Sequence, residues 1–282
     1  MNLTPSDALS GVVRSTVDTV HGKVQFRSAG MAPQVTHVLL HGIGSASASW
    51  AFQLGAAVGR SDIRVLAWDA PGYGRSTHLP MDGPSAQDYA ERLWSWLDAL
   101  YVNQPVVLAG HSLGALMAAS ATRLRPLAVS RLVLLAPARG YGDAPLAERE
   151  RVVLGRLSHL QQLGPHGMAL ARASAMLSPA ADPALQEAVR ENMAQIDPAG
   201  YAQAVQMLGQ GHLGQDLQTV ACPVSVASGE ADTVTPPANC DAVAHDAAVK
   251  RISLGPVGHA CPLEAPDAVN QLLGLPALGI FK

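Results

Sequence analysis

Ser112 sits in the pentapeptide Gly110-His111-Ser112-Leu113-Gly114, with the apolar run Pro105–Gly110 before it and an alanine-rich run ending at Pro126 after it. G-x-S-x-G between a strand and a helix is the nucleophile-elbow pattern. The serine rides a sharp, strained turn, and the flanking glycines let strand and helix approach without a Cβ clash. The helix N-terminus at the serine favours developing negative charge. The bland alternative is a serine that only caps a helix after a glycine-rich turn. A hydroxyl is a poor nucleophile at neutral pH and needs a base. Two later segments offer the base and its partner: Asp232 in SGEADTVTPP and His259 in GPVGHACPLEAP, each just after a predicted strand. Loops at that end of a parallel sheet are where ligands bind. Asp232 would fix the tautomer of His259 and stabilise its imidazolium. Glu230 is the rival acid; Asp232 is preferred because it stands further into the turn, before Val234 and the Pro236-Pro237 stop.

Acyl transfer also needs two N–H donors for its oxyanion. The Leu113 amide follows the candidate nucleophile, and the loop His41-Gly42-Ile43-Gly44 after the run Val35–Leu40 offers the Ile43 amide. Gly42, His111, Arg139 and Tyr141 are read as substrate contacts. Arg172 and Arg75 join Arg139 and Tyr141 as candidates for holding a substrate carboxylate, a task that suits an arginine fork. Met117, Met168, Met176 and Met207 are candidate pocket residues, with core packing the commoner role for each. His41 reads as a packed, hydrogen-bonded structural residue. His159, His166 and His212 either line a pocket or are ordinary polar residues.

The elements that must position these groups alternate. Val12–Val17 and Lys23–Arg27 predict an opening strand pair, and apolar runs at Val35–Leu40, Ile63–Asp69, Pro105–Gly110 and Arg131–Ala138 predict buried strands. Helices are predicted over Ser49–Val58 and over Ser85–Leu100, where Tyr89, Leu93, Trp96, Leu97 and Leu100 recur at helical spacing. Apolar strands alternating with helices indicate a parallel sheet covered on both faces. From Arg139 to Gly214 only helical patterns occur, at 147–163, Ala184–Gln195 and Tyr201–Leu208. That stretch reads as a helical insertion, with a core of 1–138 plus 215–282 and a lid of 139–214. Strands return at Cys222–Gly229 and Lys250–Gly255, and a last helix is predicted at Pro266–Leu273.

Composition narrows the function classes. The 282 residues are 48% hydrophobic and 15% charged, with a net charge of -3, so the chain is globular and carries no basic field for nucleic acid or an anionic membrane. Cys222, Cys240 and Cys261 lack the spacing of a disulfide framework or a zinc site. The start MNLTPSDALSG does not resemble a secretory signal, and no apolar stretch is long enough for a bilayer. A cytoplasmic protein that does not insert into membranes is expected. With no metal-ligand spacing and no dinucleotide glycine fingerprint, no cofactor and no metal are expected. A homodimer is left open.

HGIGSASASW, LAWDAPGYGRS, GHSLG, SGEADTVTPP and VGHACPLEAPDAV together resemble the α/β-hydrolase superfamily, in the branch with a helical lid between two core strands. The resemblance spans nearly the whole chain. It implies an α/β fold with a mostly parallel sheet of about eight strands, helices on both faces and a helical lid. The order Ser112, Asp232, His259 is the one expected of that fold. The layout looks like meta-cleavage-product hydrolases, enol-lactonases and small carboxylesterases, which implies cleavage of an ester or lactone of a small organic substrate through an acyl-enzyme. Carbon–carbon hydrolases of that group usually carry Trp after the catalytic His and Asn before the nucleophile. Ala260 and His111 depart from that pattern and place carbon–carbon cleavage second. A hydrolase-fold binding protein or an acyltransferase is the alternative from another class. Ser112 argues against the dehalogenases and epoxide hydrolases of this fold, which use an Asp nucleophile.

Overall fold

A computed structural model of the chain describes residues 3–278; the outermost ends of the core expected over 1–138 and 215–282 lie outside that range. Its eight strands are β1 (Val13–Thr19), β2 (Gly22–Ala29), β3 (His37–Leu40), β4 (Val65–Trp68), β5 (Val106–His111), β6 (Val129–Leu135), β7 (Val224–Ser228) and β8 (Arg251–Ser253). They form one sheet in the order β1-β2-β4-β3-β5-β6-β7-β8. β2 is antiparallel to both β1 and β4, and every other pairing is parallel. The central strands are apolar on both faces because both are covered. Val38, Leu40, Leu66, Trp68, Leu108, Leu132 and Leu134 join one hydrophobic cluster. The alternate residues Leu39, Val65, Ala67, Ala109, Val133 and Leu135 join a second on the opposite side.

The helices are α1 (Pro5–Ala8), α2 (Ala51–Ala57), α3 (Ala86–Ala99), α4 (Gly114–Leu124), α5 (Leu146–Arg172), α6 (Pro183–Ala194), α7 (Pro198–Gln210), α8 (Leu213–Leu217), α9 (Pro237–Asp246), α10 (Cys261–Glu264) and α11 (Pro266–Leu273). Residues of α3, α4 and α9 belong to the first cluster, and residues of α2 and α11 to the second. Ser85 opens α3 with a capping box: its hydroxyl accepts from the Asp88 amide while Asp88 reaches back. The α3 stripe then buries Tyr89, Leu93, Trp96 and Leu97, with the Trp96 ring stacked on Trp68 at 6.1 Å. No described helix is long and apolar enough to cross a membrane.

Helices α5 to α8 occupy the interval between β6 and β7. The pattern at 147–163 continues to Arg172, but through a break. Gly164 leaves helical space with φ 62° and ψ 174°, and Pro165 restarts the helix in the first turn, where its missing N–H costs nothing. Asp182 and Asp197 cap α6 and α7. Helix α9 has no counterpart among the sequence expectations; the Pro236-Pro237 stop is where it begins.

Trp96→Ala is expected to lower the unfolding free energy by about 3–5 kcal/mol through cavity formation, and Ser85→Ala, which removes one cap, by about 1 kcal/mol. Urea unfolding of the two variants checks this; equal losses would contradict the packing described.

Candidate active site

Ser112 follows β5 in a left-handed conformation, φ 53°, strained for any residue with a Cβ. The turn holds because it is pinned from β6: the Ser112 amide donates to Leu135 O at 2.9 Å, and Ala138 N donates to Ser112 O at 3.1 Å. It also depends on two bare backbones. A Cβ on Gly110 would stand 2.3 Å from Gly114 O, and one on Gly114 would stand 2.4 Å from Leu40 O. The sequence motif therefore specifies a contact between strand β5, helix α4 and the end of β3.

Asp232 follows β7 and His259 follows β8. The Asp232 side chain is fully buried and the His259 ring nearly so, with His259 Nδ1 and Asp232 Oδ2 2.9 Å apart. The carboxylate is well supplied with donors. Oδ1 accepts from the Val234 and Thr235 amides at 2.8 and 2.9 Å, and Oδ2 from the Thr235 hydroxyl at 2.8 Å. Burial pushes the Asp232 carboxyl up, but the hydrogen bond and charge of His259 and the Thr235 donors outweigh it, so its pKa falls below the ordinary 3.8. An ionised acceptor at Nδ1 keeps that nitrogen protonated and leaves Nε2 as the basic nitrogen. Glu230, by contrast, is exposed and paired with Arg251 at 3.0 Å. Thr235 was not legible as a site residue, since one threonine in TVTPP carries no spacing signal. Its hydroxyl also lies 3.1 Å from His259 Nδ1 and 3.0 Å from Ala136 O.

The loop after β8 is fixed by Glu264, which accepts from Gly258 N at 2.8 Å and from the amide and hydroxyl of Ser178. Ala260 N donates to Met176 O at 2.7 Å. These bonds join the histidine loop to the end of the α5 region. The loop after β3 is fixed by His41. Its Nε2 accepts from Ala70 N at 3.0 Å and its Nδ1 donates to Gly42 O at 2.8 Å, so the ring is neutral, and burial holds its pKa down. A Cβ on Gly42 would come within 2.9 Å of the Ser112 Cβ, so this loop can pass the serine only as glycine. The Ile43 and Leu113 amides donate to no acceptor among the described residues.

Ser112 and His259 line two cavities together. The larger, about 360 Å³, also takes in Ile43, Leu113, Arg139, Tyr141, Arg156, Met168, Arg172, Met176, Met193 and Tyr201. The smaller, about 40 Å³, is flanked by Gly42, His111, Val189, Ala260 and Leu263. Among the described residues the Ser112 hydroxyl has no hydrogen-bond partner. A hydroxyl and a basic imidazole nitrogen on one cavity wall, beside two undirected amides, can perform acyl transfer. Several expected pocket residues lie elsewhere. Arg75 lines a separate cavity near Arg14 and Arg27, and Met117 and Met207 are core residues. His212 pairs with Asp143. Arg139 reaches the large cavity but is engaged by Asp246 at 3.1 Å. Arg156 and Met193 line it without having stood out in the sequence. Among the described residues, no group of three His, Cys, Asp or Glu side chains is placed to hold a metal.

A family model described as serine aminopeptidase, S33, matches residues 32–256. A hydrolase of Acinetobacter baylyi, (E)-2-((N-methylformamido)methylene)succinate hydrolase, is 28% identical over 243 residues, 84% of this chain and 88% of that one. An esterase from Thermogutta terrifontis superposes with a TM-score of 0.78 at 23% identity over 93% of this chain and 97% of its own. The enol-lactonase of Burkholderia xenovorans superposes at 0.79 with 20% identity over 92% and 98%. At those identities the two structures show a shared fold.

His111 gives the site a pH signature. Its Nε2 donates to His259 O at 2.8 Å and its Nδ1 is buried without a partner. Burial, reinforced by the neighbouring His259 ring, pushes its pKa from 6.5 to about 3. Between those values the unfolded chain binds a proton that the folded chain refuses, so stability is full above the unfolded value and drains as pH falls below it. Unfolding free energy is expected to drop by about 2 kcal/mol more in the wild type than in His111→Asn between about pH 7.5 and about pH 5. Urea titrations giving the same pH slope for both proteins would rule this out.

Proposed function

The chain belongs to the serine aminopeptidase, S33, family of α/β-hydrolases, and from that premise we propose that it cleaves a carboxylic ester or lactone of a small organic substrate through an acyl-enzyme. The observation that carries the reading is the buried Asp232–His259 pair on the wall of a cavity that the strained Ser112 also lines. In this reading Ser112 Oγ attacks the carbonyl while His259 Nε2 takes its proton. Asp232, kept ionised by its four donors, holds the ring and stabilises the imidazolium. The Ile43 and Leu113 amides receive the oxyanion, and each such donor is worth on the order of 10²–10³ in rate. His259 then returns its proton to the leaving oxygen, and water activated by the same nitrogen releases the acid.

Helices α5 to α7, within the interval 139–214, act in this reading as the lid over the cavity. The lining by Met168, Met176, Met193 and Tyr201 supports that role. The small apolar cavity bounded by Val189, Ala260 and Leu263 suits a short alkyl group of the substrate. Ala260 supplies no indole directly after the histidine, which favours ester or lactone chemistry over carbon–carbon cleavage.

A fluorophosphonate probe is expected to label Ser112, with the adduct located by peptide mass mapping. Turnover of p-nitrophenyl acetate should fall by at least about 10³-fold in Ser112→Ala and by about 10⁴-fold in Asp232→Asn, which presents the wrong tautomer. Undiminished turnover in Ser112→Ala, or labelling at another residue, would sink the assignment.

A further inference from the structure

The larger cavity has an electrical asymmetry that acyl transfer does not use. Its lining holds three arginines, Arg139, Arg156 and Arg172, and one carboxylate, Glu148, which is exposed. Asp246 engages Arg139. Arg156 and Arg172 are both half-buried and, among the described residues, take part in no ion pair or hydrogen bond. Two partly shielded guanidinium groups that face one cavity with no acceptor of their own point to an anion that arrives with a ligand.

The backbone brings the two together. They stand sixteen positions apart on α5, which on an unbroken helix would separate them by about 24 Å. The step out of helical space at Gly164, followed by Pro165, divides α5, and both arginines line the same chamber as Ser112. They also share a second cavity of about 270 Å³ that adjoins the first through Tyr141, Met168 and Tyr201. His159 lines this annex too, and its Nε2 is buried with no hydrogen-bond partner. A nitrogen left unmatched beside two unmatched guanidinium groups is a third polar group awaiting the same ligand.

We infer that Arg156 and Arg172, with His159 behind them, form a carboxylate-binding subsite, and that the substrate is an ester or lactone bearing a free carboxylate remote from the scissile carbonyl. This rests on the hydrolase reading of Ser112. The guanidinium forks take the carboxylate oxygens through paired N–H donors, and the carbonyl end is held at the hydroxyl. No bond to the carboxylate forms or breaks.

The experiment compares the mono-p-nitrophenyl ester of succinic acid with p-nitrophenyl butyrate, which has the same acyl length and no charge. Wild-type protein should favour the acidic ester in kcat/KM by at least about tenfold. That ratio should collapse in Arg156→Gln/Arg172→Gln, and Arg172→Lys should recover part of it. An unchanged ratio in the double variant, or no preference in the wild type, overturns the subsite. A second readout needs no turnover: succinate should raise the melting temperature of Ser112→Ala protein and leave Ser112→Ala/Arg156→Gln/Arg172→Gln unmoved. Equal shifts in both overturn the subsite as well. Failure of the hydrolase reading looks different, since neither ester would then be cleaved while succinate would still stabilise the Ser112→Ala protein.

Discussion

Ser112 holds its backbone at φ 53°, and that one strained residue sets the tolerance for what surrounds it. Conformations of this kind cost on the order of 1–3 kcal/mol and persist only where neighbours over-determine them. Here Leu135 of β6 and Ala138 just beyond it supply the pinning hydrogen bonds, and the contact of Gly110 with Gly114 and of Gly114 with the end of β3 leaves no space for a side chain. Parallel strands bring the loops after β3, β5, β7 and β8 to one edge of the sheet, so the hydroxyl, the carboxylate and the imidazole meet although they are far apart in the chain.

The same edge sorts three buried histidines by their partners. His41 accepts a backbone N–H at one ring nitrogen and donates to a carbonyl at the other, which leaves no room for a second proton. His111 donates to a carbonyl and has nothing to stabilise a charge at Nδ1. Only His259 has a carboxylate at Nδ1. Burial penalises a positive ring wherever it occurs, so the placement of a single ionised acceptor separates His259 from the other two rings.

Much of the architecture was legible in the chain because the central strands are apolar on both faces and helices α3, α6 and α7 carry side-chain caps. Helix α3, opened by the Ser85 capping box, runs Ala86–Ala99, within one residue of the expected Ser85–Leu100 at each end, and α11 falls on Pro266–Leu273 as expected. Helix α9 was not legible: PANCDAVAHD has little amphipathic contrast, and the preceding prolines mark a stop as readily as a start. The expected helix stopped at Leu163, next to the break at Gly164, and the continuation to Arg172 was hidden because Pro165 reads as a stop although it opens the second half. In the site, Ser112, Asp232 and His259 stood out through motif and order. Thr235 and Glu264 did not, since each acts through one hydrogen-bonding group whose target depends on tertiary folding. Arg156 sits on a helix that looks solvated in sequence, and Arg75 lies in a loop that looks close to the serine and faces a different cavity.

Glu264 ties the amide of Gly258 to Ser178, and Ala260 leans on Met176, so the segment that follows α5 is bolted to the loop carrying the imidazole. A swing of the helical layer pivoting elsewhere would tear these bonds and drag the ring from its carboxylate. A swing pivoting about the bolt itself leaves them intact. The junction of Gly258, Ala260, Met176, Ser178 and Glu264 therefore fixes one end of the helical layer to the sheet edge that carries His259.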